Sequence, residues 1–151
     1  MSDYRVDLKW RADEQPFTPE TYSREHQWTF PGGIQVTGTA APEYKGNPNF
    51  VNPEEAYVAS VASCHLLTFL GTAARKGFVV LSYEDHPVGK LGKTAAGVMA
   101  MTEVNLSPVV KFGGERIPTQ EEFDKLHETA HKYCFIANSV TAEVAIHATL
   151  A

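Results

Sequence analysis

The stretch Asn52-Pro53-Glu54-Glu55-Ala56-Tyr57-Val58-Ala59-Ser60-Val61-Ala62-Ser63-Cys64-His65 decides the fold. Asn52 is a good helix N-cap, and Pro53 suits the first helical position. Glu55 stands three residues after the cap, as a capping box requires. The pattern predicts a helix from about Pro53 to Lys76, stopped by Gly77. Val58, Val61, Leu66, Leu67, Phe69 and Leu70, with several alanines, cover nearly all of its sides. A helix that is apolar all round is buried, inside a domain or in a dimer.

On either side of this helix the periodicity changes to that of strands. Tyr4 to Arg11 alternates apolar and charged residues and reads as a strand with one buried face. Tyr22 to Phe30 and Ile34 to Ala40 flank Pro31-Gly32-Gly33 and read as a hairpin, followed by a loop from Ala41 to Val51. Beyond the helix, Phe78 to Tyr83 reads as a strand and His86 to Gly97 as a loop or turn. Val98 to Phe112 reads as one long strand or two, broken near Ser107-Pro108. Thr119 with Glu122 forms a second capping box, opening a helix to about Tyr133. Thr141 to Leu150 alternates as a last strand. Strands on both sides of a long helix, without regular β–α alternation, give an α+β class with mostly antiparallel pairing. The 151 residues are expected to form a single domain over 1–151.

Composition narrows the partners. The formal charge is −5 and there is no Lys/Arg cluster, which argues against nucleic acid or an anionic membrane as a main partner. No apolar stretch is expected to approach the ~20 residues needed to span a bilayer. The start of the chain, Met1-Ser2-Asp3-Tyr4-Arg5, has no apolar signal core, so a cytoplasmic location is expected. In a reducing compartment two cysteines point to catalytic, redox or metal roles rather than a static staple.

Those cysteines are Cys64, deep in the long helix, and Cys134, at the end of the second. Each also reads simply as a small buried hydrophobe. A reactive thiol must be a thiolate, and mid-helix Cys64 gains nothing from a helix N-terminus, so it would need a cation from another element. The macrodipole at a helix C-terminus disfavours a Cys134 thiolate, which suits a resolving thiol. Glu55 is accounted for by capping; Glu54 is not required by the cap. Ten residues separate Glu54 from Cys64, about 15 Å along one helix. The two cannot meet within one helix; they could meet if two copies of the helix cross antiparallel in a homodimer. Cys64, His65, His127, His131 and Cys134 are also candidate metal ligands, although no CxxC or HExxH pattern is present. A Cys64–His131 hydrolase dyad is a further possibility.

Asn-Pro-Glu-Glu with a cysteine ten residues after the first glutamate, then Ala-His-x-x-Cys with an asparagine four residues on, resembles the OsmC/Ohr family of thiol peroxidases. The likeness spans essentially the whole chain. It implies an OsmC-like fold, with mostly antiparallel sheets wrapped around a long central helix, in an intertwined homodimer. It also implies that Cys64 is the peroxidatic and Cys134 the resolving cysteine, and that Glu54 is the glutamate of the Asn-Pro-Glu motif. Counting back from Pro42, which resembles the family's loop proline, places the family's arginine at Arg24, with Arg11 as the fallback. The implied activity is reduction of organic hydroperoxides through a Cys64 sulfenic acid and a Cys64–Cys134 disulfide. An external dithiol restores the enzyme, with no cofactor and no metal. The alternative is a non-enzymatic module on the same fold that binds a small ligand or a metal. The best-studied members carry Cys-Pro at the resolving position, whereas here Cys134 is followed by Phe135; Cys64 is followed by His65.

Overall fold

In the computed structural model, which describes all of residues 1–151, the predicted capping box opens the long helix. The Glu55 N–H donates to Asn52 Oδ1 at 2.9 Å, and the Asn52 N–H donates back to Glu55 Oε2 at 3.3 Å. This helix, α1, spans Pro53–Arg75. Gly77, with φ of 81°, takes the left-handed conformation that ends it. By contacts the chain divides into two compact units, Met1–Ala56 and Tyr57–Ala151.

The first unit carries an antiparallel three-stranded sheet of β1 (Asp7–Lys9), β2 (His26–Thr29) and β3 (Gln35–Gly38), in that order. The hairpin closes at Pro31-Gly32-Gly33 as predicted, with the Gly33 N–H on the Phe30 carbonyl at 2.9 Å. β1 is shorter than the Tyr4–Arg11 expected and has no buried face, since Leu8 is 65% exposed.

The second unit holds two further sheets: β4 (Val79–Glu84), β7 (Val109–Gly113) and β9 (Thr149–Leu150) in one, and β5 (Val88–Lys93), β6 (Met99–Leu106) and β8 (Glu143–Ile146) in the other. The predicted break at Ser107-Pro108 separates β6 from β7. The expected loop from His86 to Gly97 is instead largely β5, paired antiparallel with β6. Its glycines hide the strand signal, and one has a packing reason. A Cβ on Gly89 would stand 2.4 Å from Val58 and 2.6 Å from Met101, so the strand must be bare there. The single last strand expected over Thr141–Leu150 is split in two. It runs parallel to the β6–β7 segment and follows its bend: the His147 N–H bonds the Leu106 carbonyl, and the Thr149 N–H the Pro108 carbonyl, each at 2.8 Å.

Helix α2 spans Gln120–Tyr133 behind the predicted Thr119–Glu122 capping box. Its buried residues Phe123, Leu126 and Ala130 join Phe69 and Ala73 of α1 and Phe78, Val110 and Phe112 in one core cluster. Val61 of α1 packs with Val104, Leu106 and Ala142 in a second. The inward stripe of α1 is therefore Val61, His65, Phe69, Thr72 and Ala73, at helical spacing. The expectation of burial on all sides is not met within the chain: Ala59, Ser60 and Ser63 are exposed, and Leu67 is 65% exposed. By length and composition alone α1 is long and apolar enough to cross a membrane, contrary to the expectation that no apolar stretch is; its stripe packs into the two core clusters.

One polar pair is sealed in this core. His65 Nε2 lies 2.9 Å from His127 Nδ1. Burial, then the nearby His131, lowers the His65 pKa to about 4; burial, then His65, lowers that of His127 to about 3 against the pull of Asp124. Both are neutral in the fold, whereas the unfolded chain protonates them near pH 6.5. The stability that their neutrality allows is present above pH 6.5 and is lost as pH falls toward about 4. For one histidine this is on the order of 3 kcal/mol. Urea denaturation at pH 7.5, 5.5 and 4.5 should show this fall, and His127→Phe should flatten it. An equal slope in the variant would assign the acid sensitivity to other groups.

Candidate active site

Cys64 sits in the middle of α1, half-buried, and lines a pocket of about 430 Å³ with Ser60, Ser63, Leu67, Thr68, Phe135 and Ile136. Cys134 is the C-cap of α2 and fully buried. The structure brings the two thiols into hydrogen-bond contact with one another, both in the reduced form. After Cys134 the chain leaves the helix and tightens into a 3-10 turn at Ala137–Ser139. Through this turn the Ala137 N–H reaches Cys134 Sγ at 3.3 Å.

The two thiols have opposite acidities. Burial pushes the Cys64 thiol up, but hydrogen bonds from Cys134, from the backbone N–H groups of Ile136 and Phe135 and from Thr68 outweigh it, so its pKa is lowered. The cation that the sequence reading required is thus not the source of this acidity within the Tyr57–Ala151 unit; neutral donors supply it. Burial, the hydrogen bond with Cys64 and the charge on Cys64 push Cys134 up to about 11, against the N–H groups of Ala137 and Ile136. The expected macrodipole effect is replaced here by these local causes. The accessible thiol is the more acidic of the two, and the sealed thiol keeps its proton.

Arg24 and Glu54 lie together in the first unit, where they line a pocket of about 560 Å³ walled by Trp10, Phe17, Tyr22 and Tyr44. The Arg24 guanidinium lies over the Tyr22 ring at 3.6 Å. It donates to the Tyr22 carbonyl and, at 2.6 Å, to the Pro19 carbonyl. No ion pair joins Arg24 to Glu54; Arg24 Nε and Glu54 Oε2 are both buried without a hydrogen-bond partner. Arg11, the fallback, is exposed and does not line this pocket.

The five candidate metal ligands do not converge: no three His, Cys, Asp or Glu side chains are grouped to hold a metal ion. His65 is paired with His127, Cys64 with Cys134, and His131 is exposed in a separate pocket with Glu128 and His147. The Cys64–His131 dyad is likewise not formed. Sequence reasoning missed the backbone donors at Phe135 and Ile136, because N–H groups carry no residue signature. The absence of a proline at 135 was the one available signal. It also missed the His65–His127 pair, whose two members lie 62 residues apart.

The family model described as OsmC-like protein matches residues 46–149. An OsmC-like protein of unknown function from Vibrio cholerae is 40% identical, with a TM-score of 0.94 over 98% of this chain and 99% of that one. An organic hydroperoxide resistance protein from Elizabethkingia anophelis is 16% identical, with a TM-score of 0.70 over 99% of this chain and 97% of that one. Organic hydroperoxide resistance protein OhrB of Bacillus subtilis is also 16% identical, with a TM-score of 0.64 over 99% of this chain and 98% of that one. The search of curated proteins found no match. A family match over most of the chain, joined to a whole-length relative at 40% identity, settles the family: this chain belongs to the OsmC/Ohr family and has the OsmC-like fold.

Proposed function

We propose that the protein is a thiol-dependent peroxidase that reduces organic hydroperoxides to alcohols. The observation that carries this reading is the contact between an accessible, acidified Cys64 and a buried, protonated Cys134. The Cys64 thiolate attacks the distal peroxide oxygen; the O–O bond breaks and the alkoxide leaves as alcohol once protonated. Cys64 becomes a sulfenic acid. Cys134 attacks that sulfur, the S–O bond breaks, water leaves, and a disulfide forms. An external dithiol reduces the disulfide. Leu67, Phe135 and Ile136 beside Cys64 favour an alkyl hydroperoxide over hydrogen peroxide, because the tail gains burial.

The same reading includes a homodimer. Glu54 and Cys64 stand ten residues apart on one unbroken helix, about 15 Å. The exposed Leu67 and Ala59 of α1, and the exposed Leu8, Phe17 and Ile34 of the first unit, are surfaces that a second copy would cover. Each site would then take its cysteines from one protomer and Arg24 with Glu54 from the partner. Arg24, held by the Tyr22 and Pro19 carbonyls, would orient the peroxide, with Glu54 in the same pocket supplying a carboxylate beside it. The alternative, a non-enzymatic binding module, is separated from this reading by a thiol count. Cumene hydroperoxide should consume both thiols at one peroxide per chain; retention of both would favour the module.

Three tests follow from these roles. Cys64→Ser should abolish peroxide reduction, while Cys134→Ser should permit one oxidation without dithiol-driven turnover. Normal cycling by Cys134→Ser would reverse the assignment. Second, Cys64 acidity and peroxide attack should separate. Phe135→Pro deletes one N–H to the thiolate, and the Cys134 backbone, at φ −68° and ψ 112°, already suits a following proline. It should raise the pH midpoint of Cys64 alkylation by about one unit or more, since one hydrogen bond to a charged group is worth ~1.5–3 kcal/mol and one unit corresponds to ~1.4 kcal/mol. Arg24→Ala should slow Cys64 oxidation at least tenfold, and Arg11→Ala should not. Third, Cys64→Ser subunits mixed with Glu54→Ala subunits should recover a fraction of the activity, because one site of each mixed dimer is intact. No recovery in verified mixed dimers, or a monomer by light scattering, would rule out the shared site.

A further inference from the structure

His65 and His127 are buried polar groups that the reaction above does not use. His65 is 1% exposed and directly follows Cys64 on α1; His127 is 4% exposed and stands seven residues before Cys134 on α2. Their rings are within 5° of coplanar, joined by the 2.9 Å hydrogen bond between His65 Nε2 and His127 Nδ1. Phe69 stacks on the His127 ring at 4.2 Å, and Phe123 meets it edge-on at 4.7 Å. The outer nitrogens, His65 Nδ1 and His127 Nε2, are buried without partners.

This is a costly arrangement for a core. A neutral imidazole carries one proton on one of two nitrogens. Whichever ring donates the shared proton, one outer N–H and one outer lone pair stay unsatisfied in the interior. Apolar side chains would fill this aromatic surrounding without that defect. What they would not supply is a directional bond that fixes how far α2 lies along α1.

The thiols need that fixing. A disulfide tolerates Cα separations of only about 4.4 to 6.8 Å, and a slip of one helical turn moves a residue about 5.4 Å. Cys134 lies two turns beyond His127 on α2, and Cys64 is the neighbour of His65 on α1, so the histidine bond holds the register on which thiol contact depends.

We propose that His65 and His127 are positioning residues. Their hydrogen bond latches α2 to α1 so that Cys134 Sγ stays within reach of Cys64 Sγ, for the step in which a disulfide replaces the sulfenic acid and water leaves. This rests on the reading of the two thiols as a redox couple. The test uses the whole protein in glutathione buffers of graded GSH:GSSG ratio, where GSSG accepts the two electrons and two protons released as the Cys64–Cys134 bond forms. The fraction of disulfide is read by thiol alkylation and mass, and the melting temperature of the reduced form is recorded beside it. His127→Phe retains an aromatic ring against Phe69 and Phe123 but breaks the bond. It should lower the disulfide equilibrium constant at least tenfold with little loss of melting temperature. His127→Asn keeps a polar atom near the Nδ1 position but loses the ring. It should stay within about threefold of wild type in that constant while melting lower. His65→Met, an apolar replacement on the other helix, should repeat the loss seen with His127→Phe. A purely structural pair would give the opposite order, with Asn worst and Phe near wild type; that order, or constants that simply follow melting temperature, overturns the latch. A wild-type protein that forms no disulfide at any ratio overturns the redox-couple reading and the latch together, whereas normal wild-type oxidation matched by the Phe and Met variants overturns the latch alone.

Discussion

The Tyr57–Ala151 unit depends on the burial of one stripe of α1. Val61 anchors the cluster against β6, and Phe69 and Ala73 anchor the cluster against β7 and α2. Because both clusters share one straight element, the position of any residue on α1 is fixed relative to both sheets. Phe69 is fully buried among Phe112, Phe123 and Tyr83, with ring centroids between 5.6 and 6.3 Å. Truncating such a ring costs about 3–5 kcal/mol, a large part of the stability of a chain this size. Cys64 lies one residue before the stripe residue His65, on the shoulder between the buried and open faces. That placement makes it half-buried: rigid enough to be held against Cys134, open enough to meet a substrate.

The division of labour between the thiols follows from a small difference in environment. Both lose water on folding, which raises both. Cys64 gains enough donors to reverse the effect, and Cys134 does not. Each therefore tunes the other: the Cys134 S–H donates a hydrogen bond to Cys64, and negative charge at Cys64 disfavours loss of that proton. The coupling suits a two-step sequence. Once Cys64 is oxidised its charge is gone, and the charge repulsion that held Cys134 protonated goes with it.

The elements with strong local rules were legible in the sequence. Both capping boxes, the Gly77 stop, the Pro31-Gly32-Gly33 turn and the Ser107-Pro108 break were all readable, because each is specified by a few adjacent residues. β5 was not, because Gly89 and Gly92 remove the alternation that marks a strand, and the reason for Gly89 lies in Val58 and Met101, far away in sequence. The split of the last strand was hidden likewise, since the bend it follows belongs to its partner. For the site, the cysteine positions were readable by resemblance, but the donors that set their acidity were not. A backbone N–H is present at every residue except proline, and only the fold says which ones converge on a sulfur.

Lowering a thiol's pKa raises the thiolate fraction but also lowers its intrinsic nucleophilicity, so the best attacking thiol has a pKa near ambient pH. A guanidinium placed directly against the sulfur would drive the pKa far down. Neutral donors, as at Phe135, Ile136 and Thr68, shift it more gently. After Cys134 this chain carries Phe135 rather than a proline and so has an N–H to offer there. With part of the acidity supplied by the turn after Cys134, a guanidinium brought to the site under the proposed reading would have less to do for the sulfur and more for the peroxide. The Arg24 geometry is compatible with that role. Its fork is already held on the carbonyls of Tyr22 and Pro19 and against the Tyr22 ring, a pre-organised donor in an aromatic-walled pocket rather than a free charge on a flexible stem.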